Sequence, residues 1–475
     1  MSRKSALKLS FPPDDYLAIW SLPSADGTSF EANGSLTVEA GKPPKGSAHG
    51  DIDGALRQEA PGVTAFPQYV EAPVLTGRLS NGANVLLINA RVSYWFASQA
   101  SIDAEAAIIT LADVDNSNAA LFCGLDVQVG GLDAIAGVAP IKSTKFPKNS
   151  VSGTWAAELD PKEFRQEWND PLATVGLTYY GSFRSFDPYT FSMGFSPVAW
   201  VRLDQPASLS DLLGSWIQPL RRVVSIATGR PEEITYLTVY PAIDGDSERT
   251  GQLFGSGITQ QPYESMRDEI DKIQSPLRLK SDGVSLLDLL RKWQELEAVH
   301  HPLLETYGSM LHARDQHPRS RFLLLLQAIE GTHGYETKAS FEKRFRQHTK
   351  ARDEVIELCE PALEPKQLKF LERNLSKRPP GGLEPAINWL ANMLPEEVME
   401  RLGALPLIIA TVEAGAKNAP DALRIIRNDL AHGTKGYDAF ELHRVVAVLD
   451  LMVRAHALQL LGCPESVVTR LMAEK

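Results

Sequence analysis

Cysteine is scarce in this chain: Cys123, Cys359 and Cys463 stand alone among 475 residues, and no Cys-x-x-Cys pair exists. An odd, scattered set argues against a disulfide framework and for a reducing compartment. Long apolar runs are missing as well. The longest, such as Leu402–Ala416 ("LGALPLIIATVEAGA"), fall short of the roughly 20 residues that span a bilayer. The opening "MSRKSALKLSFPPDDYLAIW" carries basic residues but no sustained apolar stretch ahead of its prolines, so no secretion signal is expected. These absences predict a cytoplasmic protein without a membrane partner. There is no GxxxxGK[ST], and "VGGLDAIAG" (Val129–Gly137) lacks the strand–GxGxxG–helix setting of a dinucleotide site. Neither a GxSxG elbow nor an HExxH is present. No cofactor and no metal ion is expected.

What is there is an ordinary globular composition, 43% hydrophobic and 23% charged, in a chain long enough for two or three domains. The net charge of −11 is shared unevenly. From Ser256 onward 29 Lys+Arg face 31 Asp+Glu (−2), which leaves 19 against 28 (−9) before it. Overall acidity disfavours a nucleic-acid partner, but the nearly neutral second half has basic clusters that form a usable patch. That half also holds nine of the ten histidines, His49 being the exception.

Up to about Gly257 the pattern is mostly β. "LTGRLSNGANVLLINARVSYWF" reads as two strands around an Asn-Gly turn, a strong hairpin signal. "AIITLADVDNSNAALFCGLDVQVGG" repeats the theme around a polar turn, and "VGLTYYGSF", "FSMGFSPVAWVRLD" and "ITYLTVYPAI" add further strands. One helix interrupts: "SLSDLLGSWIQPLRRVVSIATG" has Ser208 and Asp211 in capping-box spacing and a closing Gly229. Residues 1–257 are therefore expected to form a β-rich, sandwich-like or curled antiparallel domain with one long helix near 208–229. After a linker at roughly 255–265 the period changes to 3.6, and residues 258–475 read as an all-α bundle. The fold class is α+β, in several domains.

The chemistry concentrates near the end. His300, His301, His312 and His317 lack metal-ligand spacing and read as surface histidines near helix ends. "ALRIIRNDLAHGTKG" (Ala422–Gly436) is different. Pro420 and Asp421 start its helix and Gly433 stops it, so His432 falls at the carboxyl end, where the helix dipole favours a protonated imidazole. Asn428 and His432 share a face at i, i+4, and Arg427 flanks them with a fork of donors suited to phosphate. Leu423, Ile425, Ile426, Leu430 and Ala431 are expected on the inner side. The plain structural reading is a solvated helix end with Arg427 paired to Asp429 or another carboxylate.

The "RNDLAH" arrangement resembles the Arg-Asn-x-x-x-His signature of the HEPN superfamily, helical bundles of which many are ribonucleases. "RFLLLLQAIEGTHG" resembles the first long helix of the ApeA-like branch, and the hairpin and helix of the β-rich half resemble the N-terminal domain that accompanies it. Thr434 stands where related toxins carry an aromatic two residues after the His. The resemblance implies an anti-phage abortive-infection effector that cuts RNA, plausibly tRNA. Arg427 and His432 match the catalytic pair, Asn428 its polar companion, and Glu330 the variable acid of the first helix.

Such cleavage uses the substrate's own 2′-hydroxyl as nucleophile. It needs a base, an acid and a cation at the phosphate, and its products end in 2′,3′-cyclic phosphate. One histidine serves both sides only if two copies meet, so a homodimer or higher assembly is expected. "KRFRQHTK" (Lys343–Lys350) and "KQLKFLERNLSKR" (Lys366–Arg378) offer cations; Lys343, Arg344, Arg346, Lys350 and Lys435 are the candidate RNA contacts, while Phe345 and Phe370 are expected to point into the bundle. The acidic β-rich domain is expected to sense a phage-derived trigger or to restrain the nuclease. Two other readings remain open: a HEPN bundle that binds RNA or protein without cleaving, and a carbohydrate- or peptide-binding β-domain on an oligomerising stalk.

Overall fold

The computed structural model of the chain describes residues 5–473 except 25, 51, 97, 113–120, 147–155, 188–189, 243–249, 314–315 and 378–381. Two compact units form: Met1–Thr228 with Glu232–Arg291, and Gly229–Pro231 with Lys292–Lys475.

The first unit is built on a 13-stranded antiparallel sheet. Its strands are β1 (Asp15–Pro23), β2 (Ser29–Thr37), β3 (Lys45–His49), β4 (Tyr69–Leu79), β5 (Asn84–Phe96), β6 (Gln99–Asp103) and β7 (Ala106–Thr110). There follow β8 (Leu121–Val129), β9 (Gln166–Asn169), β10 (Ala173–Asp187), β11 (Thr190–Ser208), β12 (Ile234–Pro241) and β13 (Gly251–Gly255). The order is β9-β10-β11-β8-β12-β13-β7-β5-β4-β1-β2-β3-β6, and β6 returns to pair with β5. The run from β5 to β6 thus closes a barrel, and the other strands extend outward from β5 through β7.

Closure depends on one strand serving two neighbours. Residues Asn84–Ile88 of β5 pair with β7, and Arg91–Phe96 pair with β6. Asn89, at the changeover, has φ +50°, which asparagine tolerates better than most residues, and its Nδ2 donates to Glu105 Oε2 at 2.7 Å. The expected β4–β5 hairpin forms around Asn81 and Gly82, with Gly82 at φ +85° and Asn81 Oδ1 accepting from the Ala83 N–H. Inside the barrel Trp20 is fully buried, and its Nε1 donates to the Ser47 carbonyl at 2.9 Å. Gly77 on β4 makes room for it: a Cβ there would lie 2.6 Å from indole Cε3. Removing that indole to alanine would cost about 3–5 kcal/mol.

The second expected hairpin does not form. β12 and β13 stand between β7 and β8, and the polar turn at 113–120 lies outside the described residues. A turn signal says that the chain reverses, not which strand it returns beside; β13, buried at every position, takes the inner place. The helical run Leu209–Thr228 matches its signals. Ser208 Oγ accepts from the Asp211 N–H at 3.1 Å, and Gly229 leaves at φ +70°. A wider π turn, Leu213–Ile217, accommodates Pro219, whose ring would crowd the carbonyl four residues back in a regular helix.

The second unit is helical: α1 (Pro302–His312), α2 (Pro318–Glu336), α3 (Lys338–Cys359), α4 (Pro365–Asn374), α5 (Leu383–Ala391), α6 (Glu397–Gly403), α7 (Pro406–Glu413), α8 (Ala419–His432), α9 (Ala439–Leu460) and α10 (Glu465–Ala473). α2 and α9 form the central pair; α2 buries Phe322, Leu325 and Ile329, and α9 buries Leu449 and Met452. α8 lies against α2, α5 and α7. Two expectations fail here. Phe345 and Phe370 are 38% and 69% exposed rather than turned inward, because α3 and α4 bury no residue at all and charged side chains outnumber large apolar ones on α3. His301 is 3% exposed and not a surface residue, because it sits at the start of α1 beside the end of α2. Among the described residues no helix is long and apolar enough to cross a membrane.

Candidate functional site

The helix that carries His432 is defined at both ends. Asn418 caps its start by accepting from the Asp421 N–H at 2.9 Å, Pro420 occupies the first turn, and Gly433 ends it at φ +68°. Leu423, Ile426 and Leu430 are buried and fix its rotation; Ile425 is half-buried. Ala431, expected on the inner side, is exposed, one position round the helix from the buried Leu430. His432 is exposed there.

Arg427 and Asn428 lie half-buried one turn earlier. The Arg427 guanidinium donates to Asn428 Oδ1 at 3.2 Å and to Glu330 Oε2 at 3.3 Å, across from α8 to α2. The structure therefore brings Arg427, Asn428 and Glu330 together and leaves His432 beyond them at the helix end. Asp429, the other partner considered for Arg427, is taken: it accepts from Tyr437 Oη at 2.6 Å and Thr434 Oγ1 at 2.9 Å. Those hydrogen bonds, Tyr437 first, hold its carboxyl below the usual range. Burial, and then the same bond to Asp429, push the Tyr437 hydroxyl up.

The Arg427–Glu330 contact is loose. Their side chains are 40% and 30% exposed, and 3.3 Å exceeds the roughly 2.7–2.9 Å of a strong charge-assisted bond. A pair so placed contributes about 0–1 kcal/mol. The guanidinium is thus oriented but not consumed. A second guanidinium was missed by sequence reasoning: Arg319, near the start of α2, donates through Nη2 to the Leu430 carbonyl, two residues before His432. Its only signal was a cation after Pro318, and no spacing ties that position to His432.

A family model described as ApeA N-terminal domain 1 matches residues 15–293, more than half of the chain. The chain belongs to this family. No curated protein and no solved structure matches it. Membership points to an anti-phage defence protein. The ApeA domain holds the barrel, the outer strands and the helical run Leu209–Thr228, and it ends before α1, so Arg427, Asn428, His432 and Glu330 all lie beyond it.

At the far end of α2 from Arg319, a second polar group sets a partly exposed carboxylate against two buried histidines. Glu336 Oε1 lies 2.7 Å from His456 Nε2 and 3.5 Å from His301 Nε2. Both histidines are nearly fully buried, and Trp389 packs edge-on against the His456 ring. Burial pushes the Glu336 carboxyl up, but the contacts with His301 and His456 outweigh it and hold the group down at about 2. Beyond that end the chain turns at Thr337 into α3, where Lys343, Arg344, Arg346 and Lys350 are all exposed. Lys435 is exposed after α8, its Nζ 5.0 Å over the Tyr437 ring. Arg378 lies outside the described residues.

Proposed function

We propose that the chain is a HEPN-type endoribonuclease effector of anti-phage defence, acting in the cytoplasm on tRNA or another RNA. The observation that carries this reading is the open arrangement on α8: an exposed His432 at a helix end, with Arg427 held half-exposed by Glu330 and Asn428.

In this reading His432 moves protons. It withdraws one from the substrate 2′-hydroxyl, and its mate from a second copy delivers one to the departing 5′-oxygen. Arg427 stabilises the charge that develops on the phosphate, where a planar fork of donors is worth more than a point charge. Glu330 and Asn428 aim the guanidinium. Arg319 and Lys435 add positive charge toward the same helix end. The ApeA domain recognises the trigger or restrains the nuclease until infection.

The second reading, a bundle that binds RNA or protein without cutting, is favoured by one observation: the Arg427 guanidinium already has a carboxylate partner. Incubating the purified protein with total tRNA in EDTA, as wild type, His432→Ala and Arg427→Ala, separates the two. The nuclease reading expects cleavage by wild type alone, with 2′,3′-cyclic phosphate ends. Equal cleavage by all three rejects the site, and no cleavage by any, even with phage extract added, supports the scaffold.

A further inference from the structure

The hairpin of α3 and α4 is the part of the second unit that its own packing explains least, since neither helix buries a residue. Along one side of α3, Lys343, Arg346, Lys350, Asp353, Glu357 and Glu360 follow one another at spacings of three and four, so they form a single stripe. Glu360 stands just past the last helical residue with helical backbone angles and prolongs that stripe. Its first half is cationic and its second half anionic.

This order breaks two local rules. Like charges three or four residues apart destabilise a helix, yet every step of the stripe except Lys350–Asp353 joins like charges. The helix dipole favours acids in the first turn and bases in the last, and α3 has no acid in the first and no base in the last. α8 obeys that rule, with Asp421 at its start and His432 at its end. Relief within α3 is partial: Lys350 reaches Glu354 at 3.8 Å with both side chains exposed, and Arg352 takes Asp353 at 3.1 Å.

We propose that α3 docks antiparallel on α3 of a second copy of this chain, about a two-fold axis between residues 351 and 352. That axis sets Lys343 against Glu360 of the second copy, Arg346 against Glu357 and Lys350 against Asp353, and each pair recurs by symmetry. All three pairs are centred on the same point of the helix, which is what a self-complementary register requires. The same hairpin leaves Leu358 79% and Phe370 69% exposed, apolar surface that a second copy covers. RNA fits less well, because the three carboxylates continue the stripe directly and repel phosphate. The proposal does not rest on the nuclease reading, since His432 and Arg427 play no part in it.

The test measures the mass of the full-length protein, freed of nucleic acid, by light scattering across a concentration series. Lys343→Glu/Arg346→Glu/Lys350→Glu makes the stripe wholly negative and weakens self-association by at least about a hundredfold, because like charges set face to face cost several kcal/mol. Asp353→Lys/Glu357→Lys/Glu360→Lys does the same with the opposite sign. Mixing these two variants restores association between them, and a chain carrying all six reversals regains it alone. That rescue separates docking from misfolding, with helix content by circular dichroism as a control. A wild-type single copy at every concentration, an unchanged mass in either triple variant, or no rescue on mixing overturns the proposal. Lost RNA binding with unchanged mass assigns the cations to RNA instead.

Discussion

Helix α2 presents two glutamates to its neighbours, Glu330 toward α8 and Glu336 toward α9, and their surroundings differ. Around Glu336 the histidines are 3% and 4% exposed and an aromatic ring packs against one of them, while Glu336 itself keeps 24% of its side chain in solvent. Around Glu330 the partner guanidinium is 40% exposed and the contact is 3.3 Å; His432 lies farther on at the end of α8, open to solvent. The two carboxylates stand six residues apart on one helix, one facing a guanidinium and the other two imidazoles. Where the imidazoles are buried, the carboxylate pins them from the surface, His456 by a 2.7 Å hydrogen bond, because leaving a buried polar group unpaired is costly. Where water enters, each pair contributes little to stability, and the side chains are free for an outside partner.

The largest effect that would sharpen this contrast is at His432. His432→Ala should lower RNA cleavage by about 10²–10⁴-fold while leaving the thermal unfolding midpoint unchanged. Cleavage resolved on a gel beside a melting curve checks both halves, and a large loss of stability would erase the distinction. At the closed end the signs reverse. Glu336→Gln should cost about 1–3 kcal/mol in denaturant unfolding at neutral pH, with cleavage per folded molecule retained.

The pH dependence of that cost has a fixed direction. The folded carboxyl titrates at about 2, below the roughly 4.3 of an unfolded glutamate. The contribution of Glu336 is therefore complete above the unfolded value and lost as pH falls through the folded one. Wild type should lose this increment between about pH 4.5 and pH 2, and Glu336→Gln should flatten that part of the curve. The smallest effect is expected at the open pair: a double-mutant cycle of Glu330→Gln with Arg427→Lys should give a coupling below about 1 kcal/mol. A larger value would mean that Arg427 is held as firmly by its partner as Glu336 is by its histidines.

Much of this was legible where physics acts over a few residues. Asn81-Gly82 announced its hairpin, Ser208 and Asp211 the start of the long helix, and Gly433 the end of α8. Long-range choices were not. Nothing in the sequence around Asn89 says that β5 changes partners there, so a closed barrel could not be told from a curled sheet. The inward turn expected of Phe345 and Phe370 assumed that every helix of the second half packs into one bundle, and α3 lacks the apolar face for that. In the candidate site, spacing put Arg427 beside Asn428 and His432 at the helix end; the structure joins the first two by a hydrogen bond and leaves His432 beyond them. Glu330 lies nearly a hundred positions upstream and was reached only through a family resemblance. The carboxylate nearest Arg427 in sequence, Asp429, was lost to Tyr437, whose reach from the following loop no spacing rule would suggest.

The closure of the barrel also governs how the first unit meets other chains. An open sheet offers a terminal strand at each side, and either invites another chain's backbone. Here the strand order curls back on itself at β5, and among the described residues the 13-stranded sheet keeps one terminal strand, Gln166–Asn169, which pairs only with Thr174–Leu177 of β10. A visiting segment that tried to extend the sheet at that rim would meet this short strand and, past it, the longer edge of β10. The bending that made the barrel thus removes the second rim and leaves the first as the place where another backbone can add.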